Sequence, residues 1–165
     1  MGYCVAKRPL SKIIKFAAAG ILVILILFPG FSAADEQASF RRGGLSAGLY
    51  HNLLCNESGE VYAWGDDSYG QLGIGDRMNE EIPMIVGGLS DIVEVSAGDF
   101  HSLALNASGD VYAWGRNTFG QLGNGTSEAS QTPVRVDGIP PVRMISAGGS
   151  HSLALGIDGY VYAWG

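Results

Sequence analysis

Three histidines recur at one spacing along this 165-residue chain, and a repeated imidazole is the first feature that could carry chemistry. His51, His101 and His151 stand fifty residues apart. A ring of imidazoles suggests a metal site, but metal ligands must converge within a few ångströms, and successive repeat units separate equivalent residues further than that. A catalytic residue is needed once, whereas a residue that builds a repeating unit is needed in every copy. We therefore interpret each histidine as structural, fixing by hydrogen bonds the turn after the Ser-Ala-Gly triplet that precedes it.

Other motifs of catalysis and ligand binding are incomplete. Serine, histidine and aspartate are plentiful, but no Gly-x-Ser-x-Gly elbow presents a nucleophilic serine. Segments 70–75 and 120–125 are glycine-rich, yet they lack the glycine order and the Lys-Ser/Thr pair of phosphate loops. The acidic segments 66–67 and 76–81 lack the spacing of a calcium loop. The sequence predicts no catalytic site, no metal and no cofactor, and hence a protein that is not an enzyme.

Charge is distributed unevenly along the chain. All three lysines and one arginine lie in the first fifteen residues, whereas residues 35–165 carry six arginines against sixteen acidic residues, a net charge of −10. A field of that sign repels phosphate backbones, which argues against nucleic acid as a partner. The composition, 47% hydrophobic and 16% charged, is that of a folding chain.

The N-terminal segment has the layout of a secretory signal peptide. A basic stretch leads into an apolar run, residues 16–28, which is followed by Pro-Gly and by the small residues 32–34. The apolar run is shorter than the roughly 20 residues of a membrane-spanning helix. We expect residues 1–34 to be a helical signal peptide cleaved after Ala34, with an uncleaved membrane anchor as the alternative, and residues 35–45 to be a linker. The protein would then be exported, as a bacterial secreted, periplasmic or cell-surface protein that contacts a membrane only through this segment.

The elements that position the histidines repeat with a period of fifty residues. The thirty residues from Ser46 and from Ser96 agree at 18 positions, and the twenty from Ser146 agree with the second copy at 14. The repeats therefore span 46–95, 96–145 and a truncated 146–165. Cys55 occupies the place of Leu105 and Leu155, so we expect a buried thiol.

Each repeat is typical of short antiparallel strands. Segments 101–105 and 110–114 flank a four-residue turn, and two further strands, 83–86 and 91–96, are expected to precede them in the same unit. Segment 111–114 alternates Val and Ala with Tyr and Trp, so both faces of a sheet need cover. The small face of one sheet can receive the aromatic face of the next, which favours an all-β propeller over a sandwich.

The motifs SAG-x-x-H, G-x-V-Y-x-W-G and G-Q-L-G-x-G resemble the repeats of the regulator of chromosome condensation family. The resemblance covers residues 46–165, about 2.4 repeats, and implies a seven-bladed propeller with four antiparallel strands in each blade. A full ring at this period needs about 350 residues, so we expect an N-terminal fragment of a longer reading frame. The repeated structural residues are His51, His101, His151, Trp64, Trp114 and Trp164.

Individual function should lie where the repeats differ. The loops after the Trp-Gly pairs differ most, and the candidate partner-binding residues there are Asp66, Asp67, Tyr69, Arg116, Asn117 and Phe119. Tyr69 and Phe119 fit either contact with a partner or packing within the loop. We expect a protein-binding or scaffold module without catalysis that binds a protein or cell-surface partner. The family resemblance implies one alternative, guanine-nucleotide exchange on a small GTPase, and a second alternative is the non-catalytic propeller domain of a larger cell-surface enzyme.

Overall fold

A computed structural model of the chain describes residues 44–165. The expected signal peptide and almost all of the expected linker lie outside the described residues. The described part is all-β, as the sequence predicted, and contains eleven strands. None of its segments is a helix of the length and apolarity needed to cross a membrane.

The strands form three antiparallel sheets in chain order. The first sheet has the order β1-β2-β3-β4, the second β5-β6-β7-β8, and the third β11-β10-β9. Their bounds are β1 Gly44–Ala47, β2 His51–Cys55, β3 Val61–Gly65, β4 Glu80–Ile85, β5 Ile92–Ala97, β6 His101–Asn106, β7 Val111–Gly115, β8 Ser130–Arg135, β9 Val142–Ala147, β10 Ser152–Gly156 and β11 Val161–Trp164.

The expected assignment of strands to units was wrong in one respect. Segment 83–86 was expected to precede 91–96 within one unit, but β4 pairs with β3 of the first sheet, where Tyr62 lies opposite Ile85. In the same way β8 pairs with β7. The strand before each Ser-Ala-Gly triplet therefore opens a sheet, and the strand after the variable loop closes it.

The central hairpin of each sheet follows from its turn residues. Asn56 Oδ1 accepts hydrogen bonds from the backbone N–H groups of Ser58 and Glu60, at 3.0 and 2.9 Å. Gly59 adopts a φ of +81°, a conformation that glycine enters without a steric penalty. The turn sets the register in which Asn52 faces Trp64 across β2 and β3.

The sheets stack as the alternation of small and aromatic residues predicted. Trp114 of the second sheet is fully buried in one core cluster with Val61 and Ala63 of the first sheet. Trp164 packs against the next cluster, which contains Val111 and Ala113. Removing a buried indole of this kind costs about 3–5 kcal/mol of stability. The second and third sheets are thus blades whose aromatic faces are covered by the blade before them.

Candidate interaction surface

A buried chain of hydrogen bonds joins each blade to the next. His51 Nε2 lies 2.9 Å from Ser102 Oγ of the second blade. Ser102 Oγ donates to the Gln71 carbonyl at 2.7 Å, and Trp114 Nε1 donates to the same carbonyl at 2.8 Å. The three repeated motifs therefore converge at one junction, because they supply the histidine, the tryptophan and the glutamine. We call this arrangement the inter-blade relay.

The directions of these bonds fix the tautomer of the histidine. Ser102 gives its only proton to the Gln71 carbonyl, so its oxygen must accept from His51, whose proton then sits on Nε2. His51 Nδ1 is buried without a hydrogen-bond partner. Burial lowers the pKa of His51 to about 4, although the charge of Asp66 opposes this shift. The imidazole is neutral at pH 7, and its role is that of a donor.

The same relay recurs one blade further on. His101 Nε2 lies 3.0 Å from Ser152 Oγ, which donates to the Gln121 carbonyl at 2.8 Å, and Trp164 Nε1 donates to that carbonyl at 2.9 Å. Burial lowers the pKa of His101 to about 4, and the charges of the two other histidines act in the same direction. His151, the corresponding residue of the third repeat, is exposed.

The imidazoles of His51 and His101 make a different contact from the one expected. The turn after Ser-Ala-Gly is closed by the backbone, since the Gly48 N–H donates to the His51 carbonyl at 2.8 Å. The imidazole instead crosses to the next blade. It lies so close to Gly48 that an added Cβ would come within 2.5 Å of its Cε1, which explains the glycine before each histidine.

The loops that follow β3 and β7 lie at the same edge of the sheets as the β1–β2 and β5–β6 turns. Their aromatic residues meet there around an arginine. The Arg116 guanidinium carbon lies 5.1 Å from the Tyr69 ring centroid, 5.9 Å from that of Phe100 and 5.6 Å from that of Phe119. Phe100 also lies 5.2 Å from Tyr69, edge to face, and 6.2 Å from Tyr50. We call these five residues the aromatic–arginine surface.

Much of this surface is open to solvent. Tyr50 is 62% exposed, Phe119 59% and Tyr69 38%, whereas Phe100 and Arg116 are partly buried between them. The placement joins the first and second blades, because Tyr50 and Tyr69 belong to one and the other three residues to the next. Tyr69, Arg116 and Phe119 are thereby brought together, and each retains the exposed area that contact with a partner requires.

The glutamine of the relay also holds the aromatic residue of the loop. The Tyr69 backbone N–H donates to Gln71 Oε1 at 2.8 Å, and the Gln71 amide donates to Asp66 Oδ2 at 2.5 Å. In the second blade the Phe119 N–H donates to Gln121 Oε1 at 3.0 Å. In the first two blades one glutamine therefore links the junction, through its backbone carbonyl, to the loop at the surface, through its side-chain amide.

Asp67 and Asn117 are buried and do not belong to the surface, unlike the expectation from their place in a variable loop. Both are fully buried. Asp67 Oδ1 accepts from the Leu72 N–H at 2.8 Å, and Asn117 Oδ1 accepts from the Leu122 N–H at 2.9 Å. Asn117 Nδ2 also donates to the carbonyls of Thr126 and Glu128, both at 3.0 Å. These side chains brace the loop from inside, because the folded loop leaves backbone groups that need partners.

Asp66 is partly buried, and its carboxylate is engaged within its own loop by Ser68 and Gln71. Sequence reasoning did not single out Tyr50 and Phe100. The available signal was that both stand directly before a repeated histidine, in the two positions of SAG-x-x-H that differ between units. Within residues 44–165 no group of three or more His, Cys, Asp or Glu side chains converges in a way that could hold a metal ion.

Comparison with known families gives a direct match to the repeats. The model described as the regulator of chromosome condensation (RCC1) repeat matches residues 58–105 and 108–155, and a second model of the same repeat matches residues 44–71 and 92–121.

Two curated relatives illustrate the likeness in sequence. The human E3 ubiquitin-protein ligase HERC2 is 35% identical over 59 residues, which are 36% of this chain and 1% of the ligase. The ultraviolet-B receptor UVR8 of Arabidopsis thaliana is 41% identical over 46 residues, which are 28% of this chain and 10% of the receptor. The chain thus spans a small part of the length of the relatives it matches.

Solved structures confirm the architecture. Human WBSCR16 superposes with a TM-score of 0.70 at 30% identity, over 74% of this chain and 32% of that protein. Prp20p of Saccharomyces cerevisiae superposes with a TM-score of 0.67 at 26% identity, over 74% of this chain and 32% of that protein. The described residues are therefore similar to about a third of a propeller.

Proposed function

Since the chain belongs to the regulator of chromosome condensation repeat family, we propose that it is an exported, non-catalytic propeller module whose aromatic–arginine surface binds a protein or cell-surface partner. The single observation that carries this proposal is the cluster of Tyr69, Phe100, Arg116 and Phe119 at one edge of two adjoining blades. Aromatic residues and arginine are the types most enriched at the centres of protein interfaces. A structural relative points the same way, because Prp20p of Saccharomyces cerevisiae binds Gsp1p and histones.

The build of the loops supports binding. Gln71 and Gln121 hold the backbone beside Tyr69 and Phe119, and buried Asp67 and Asn117 brace the same loops. Side chains that are already held in place lose little conformational entropy when a partner binds. A stiff loop on a rigid sheet is therefore suited to recognition.

The use of the polar residues supports a role without catalysis. His51 and His101 are buried, neutral and occupied in the same inter-blade contact in both copies. The layout of residues 1–34 supports export, and the acidic charge of residues 35–165 disfavours nucleic acid as the partner.

Loop exchange tests the proposal. A variant in which residue 66 is exchanged with 116 and residue 69 with 119 (D66R/Y69F/R116D/F119Y) keeps the composition and the buried bracing residues Asp67 and Asn117, but it takes the arginine out of its position beside Phe100. Partners captured by crosslinking on the cell surface should be identified with the native chain, and their affinity then measured with each variant. We expect the swap, and the double variant Y69A/F119A, to weaken binding about tenfold or more.

Ile157→Ala is the matched control, because Ile157 is 67% exposed in a turn of the third blade and lies outside the surface. Equal affinity of the native chain, the swap and the double variant would contradict the proposal. Nucleotide release from a small GTPase by the purified protein would favour the exchange-factor alternative. Cell fractionation tests export separately, and retention in the cytoplasm would refute that part.

A further inference from the structure

Resting on the proposed function, we further propose that Arg116 is a recognition site for a carboxylate of the partner, presented beside a large apolar side chain. The geometry that points to this is a guanidinium that lies near the rings of Tyr69, Phe100 and Phe119 and has no carboxylate partner among residues 44–165. The partner segment is thus defined by its chemistry, an Asp or Glu next to an aromatic or aliphatic residue.

Arg116 retains most of its hydrogen-bonding capacity. Its Nε donates to Thr118 Oγ1 at 3.2 Å, which occupies one of the five N–H donors of a guanidinium. Among residues 44–165 the ion pair within 4.0 Å is that of Arg135 with Asp110, so no carboxylate of the described part neutralises Arg116. The two terminal nitrogens are the groups that a planar carboxylate engages in a bidentate pair.

Of the two residues at this position of the repeat, only Arg116 of the second blade is a cation without a carboxylate partner among residues 44–165. Asp66 stands fifty residues before Arg116, and its two oxygens accept hydrogen bonds from Ser68 Oγ at 2.6 Å and Gln71 Nε2 at 2.5 Å. Both oxygens of the Asp66 carboxylate are therefore hydrogen-bonded within their own loop. The second loop keeps a cation at the same point of the repeat and surrounds it with rings.

The surroundings favour one carboxylate over a polyanion. Rings on three sides limit the access of water to the guanidinium, and a pair with a carboxylate is stronger where the local dielectric is low. A polyanion would bring many negative charges towards a chain segment of net charge −10, whereas a single carboxylate meets Arg116 alone. The exposed rings of Tyr50 and Phe119 offer apolar area to the residue beside that carboxylate.

Selection from a random dodecapeptide library displayed on phage, against the full chain, tests this chemistry without a known partner. We expect the enriched peptides to share an Asp or Glu next to an aromatic or aliphatic residue. As soluble peptides they should lose about tenfold or more of their affinity when that acid becomes its amide, or when the protein carries Arg116→Gln. In the combined measurement, the peptide amide should cost little further affinity in R116Q, because both changes remove the same pair.

Arg143→Gln is the matched control, since Arg143 is an exposed arginine of β9 and its loss changes the net charge equally. We expect R143Q to bind within about twofold of the native chain, and R116K to recover only part of the affinity, because an ammonium lacks the planar fork. Peptides that depend on Phe119 but tolerate both R116Q and the amide would overturn the carboxylate site and leave the proposed surface standing. Selected peptides that depend on neither Phe119 nor Arg116 would overturn both proposals.

Discussion

Ser102→Ala is the sharpest test of the inter-blade relay. Ser102 Oγ lies between two buried groups, accepting from His51 Nε2 at 2.9 Å and donating to the Gln71 carbonyl at 2.7 Å. Alanine removes the hydroxyl oxygen and with it only the two side-chain hydrogen bonds that Ser102 makes, both of which belong to the relay. Other structural roles of β6, such as its pairing with β5 and β7, use backbone groups that the substitution retains.

The expected cost follows from which groups lose a partner. The Gln71 carbonyl keeps its bond from Trp114 Nε1 at 2.8 Å, so it remains satisfied. The His51 Nε2–H loses its acceptor in a site where the histidine is 1% exposed, and an unsatisfied buried donor costs about 1–3 kcal/mol. We expect S102A to lower the free energy of unfolding by about 2 kcal/mol.

Urea unfolding at pH 7, followed by tryptophan fluorescence, measures this change, because Trp114 lies in the same junction. Ser108→Ala is the matched control, since Ser108 is exposed in the β6–β7 turn. The double variant H51F/S102A should lose less stability than the two single changes together, because it removes the stranded donor as well. A free energy of unfolding for S102A within about 0.5 kcal/mol of that for S108A would refute the relay as a source of stability.

Two further predictions concern buried charge. Burial lowers the pKa of His51 and His101 to about 4, so between pH 6.5 and 4 the unfolded chain binds more protons than the folded one. The free energy of unfolding should therefore fall as the pH drops through that window. Urea midpoints measured at pH 7, 5.5 and 4.5 that do not differ would contradict this prediction. Burial raises the pKa of Asp67 to about 6, and Asp67 Oδ2 has no hydrogen-bond partner. The second blade has an asparagine, Asn117, at the equivalent position. We therefore expect Asp67→Asn to raise the free energy of unfolding by about 1 kcal/mol at pH 7. That gain should shrink towards pH 4, where the native Asp67 is protonated in the folded chain, and a D67N chain that is less stable than the native one at pH 7 would count against the reasoning.

Local pattern was enough to predict the blades and their stacking. Alternation along 111–114 placed Val and Ala on one face and Tyr and Trp on the other, and Trp114 does pack on the preceding blade. The hydrogen bond between His51 and Ser102 was not predictable in this way, because the two residues are 51 positions apart and no local sequence feature of either indicates that they are in contact. The pairing of β4 with β3 was missed for a similar reason, since a fourteen-residue loop separates them and chain order alone favoured β5.

The residues of the candidate surface were also predictable only in part. Residue type and position in a variable loop were sufficient to select Tyr69, Arg116 and Phe119, which the fold brings together. The same criterion also selected Asp67 and Asn117, because polar residues in a loop are expected to be exposed to solvent. The sequence did not show that the loop folds over these two side chains. They are buried because their side-chain oxygens accept hydrogen bonds from the backbone N–H groups of Leu72 and Leu122, which need partners inside the folded loop.

Repetition within one chain separates what builds the blade from what distinguishes it. The relay, the bracing residue and the glutamine recur with the same bonds in both complete blades, so a change at any of them alters folding before it alters recognition. The N–H groups of residues 66 and 116 make the same hydrogen bond in both blades, to the carbonyls of Tyr50 and Phe100, so the side chains at these positions can differ. The first blade has a hydrogen-bonded carboxylate there, and the second has a guanidinium with no carboxylate partner among residues 44–165. The contact of a guanidinium with an aromatic ring at the surface is worth about 0.5–1 kcal/mol, and Arg116 has no ion pair among residues 44–165 to add to it. A guanidinium without a carboxylate partner among residues 44–165, placed among aromatic residues on a braced loop, is the feature through which we propose that this surface recognises its partner.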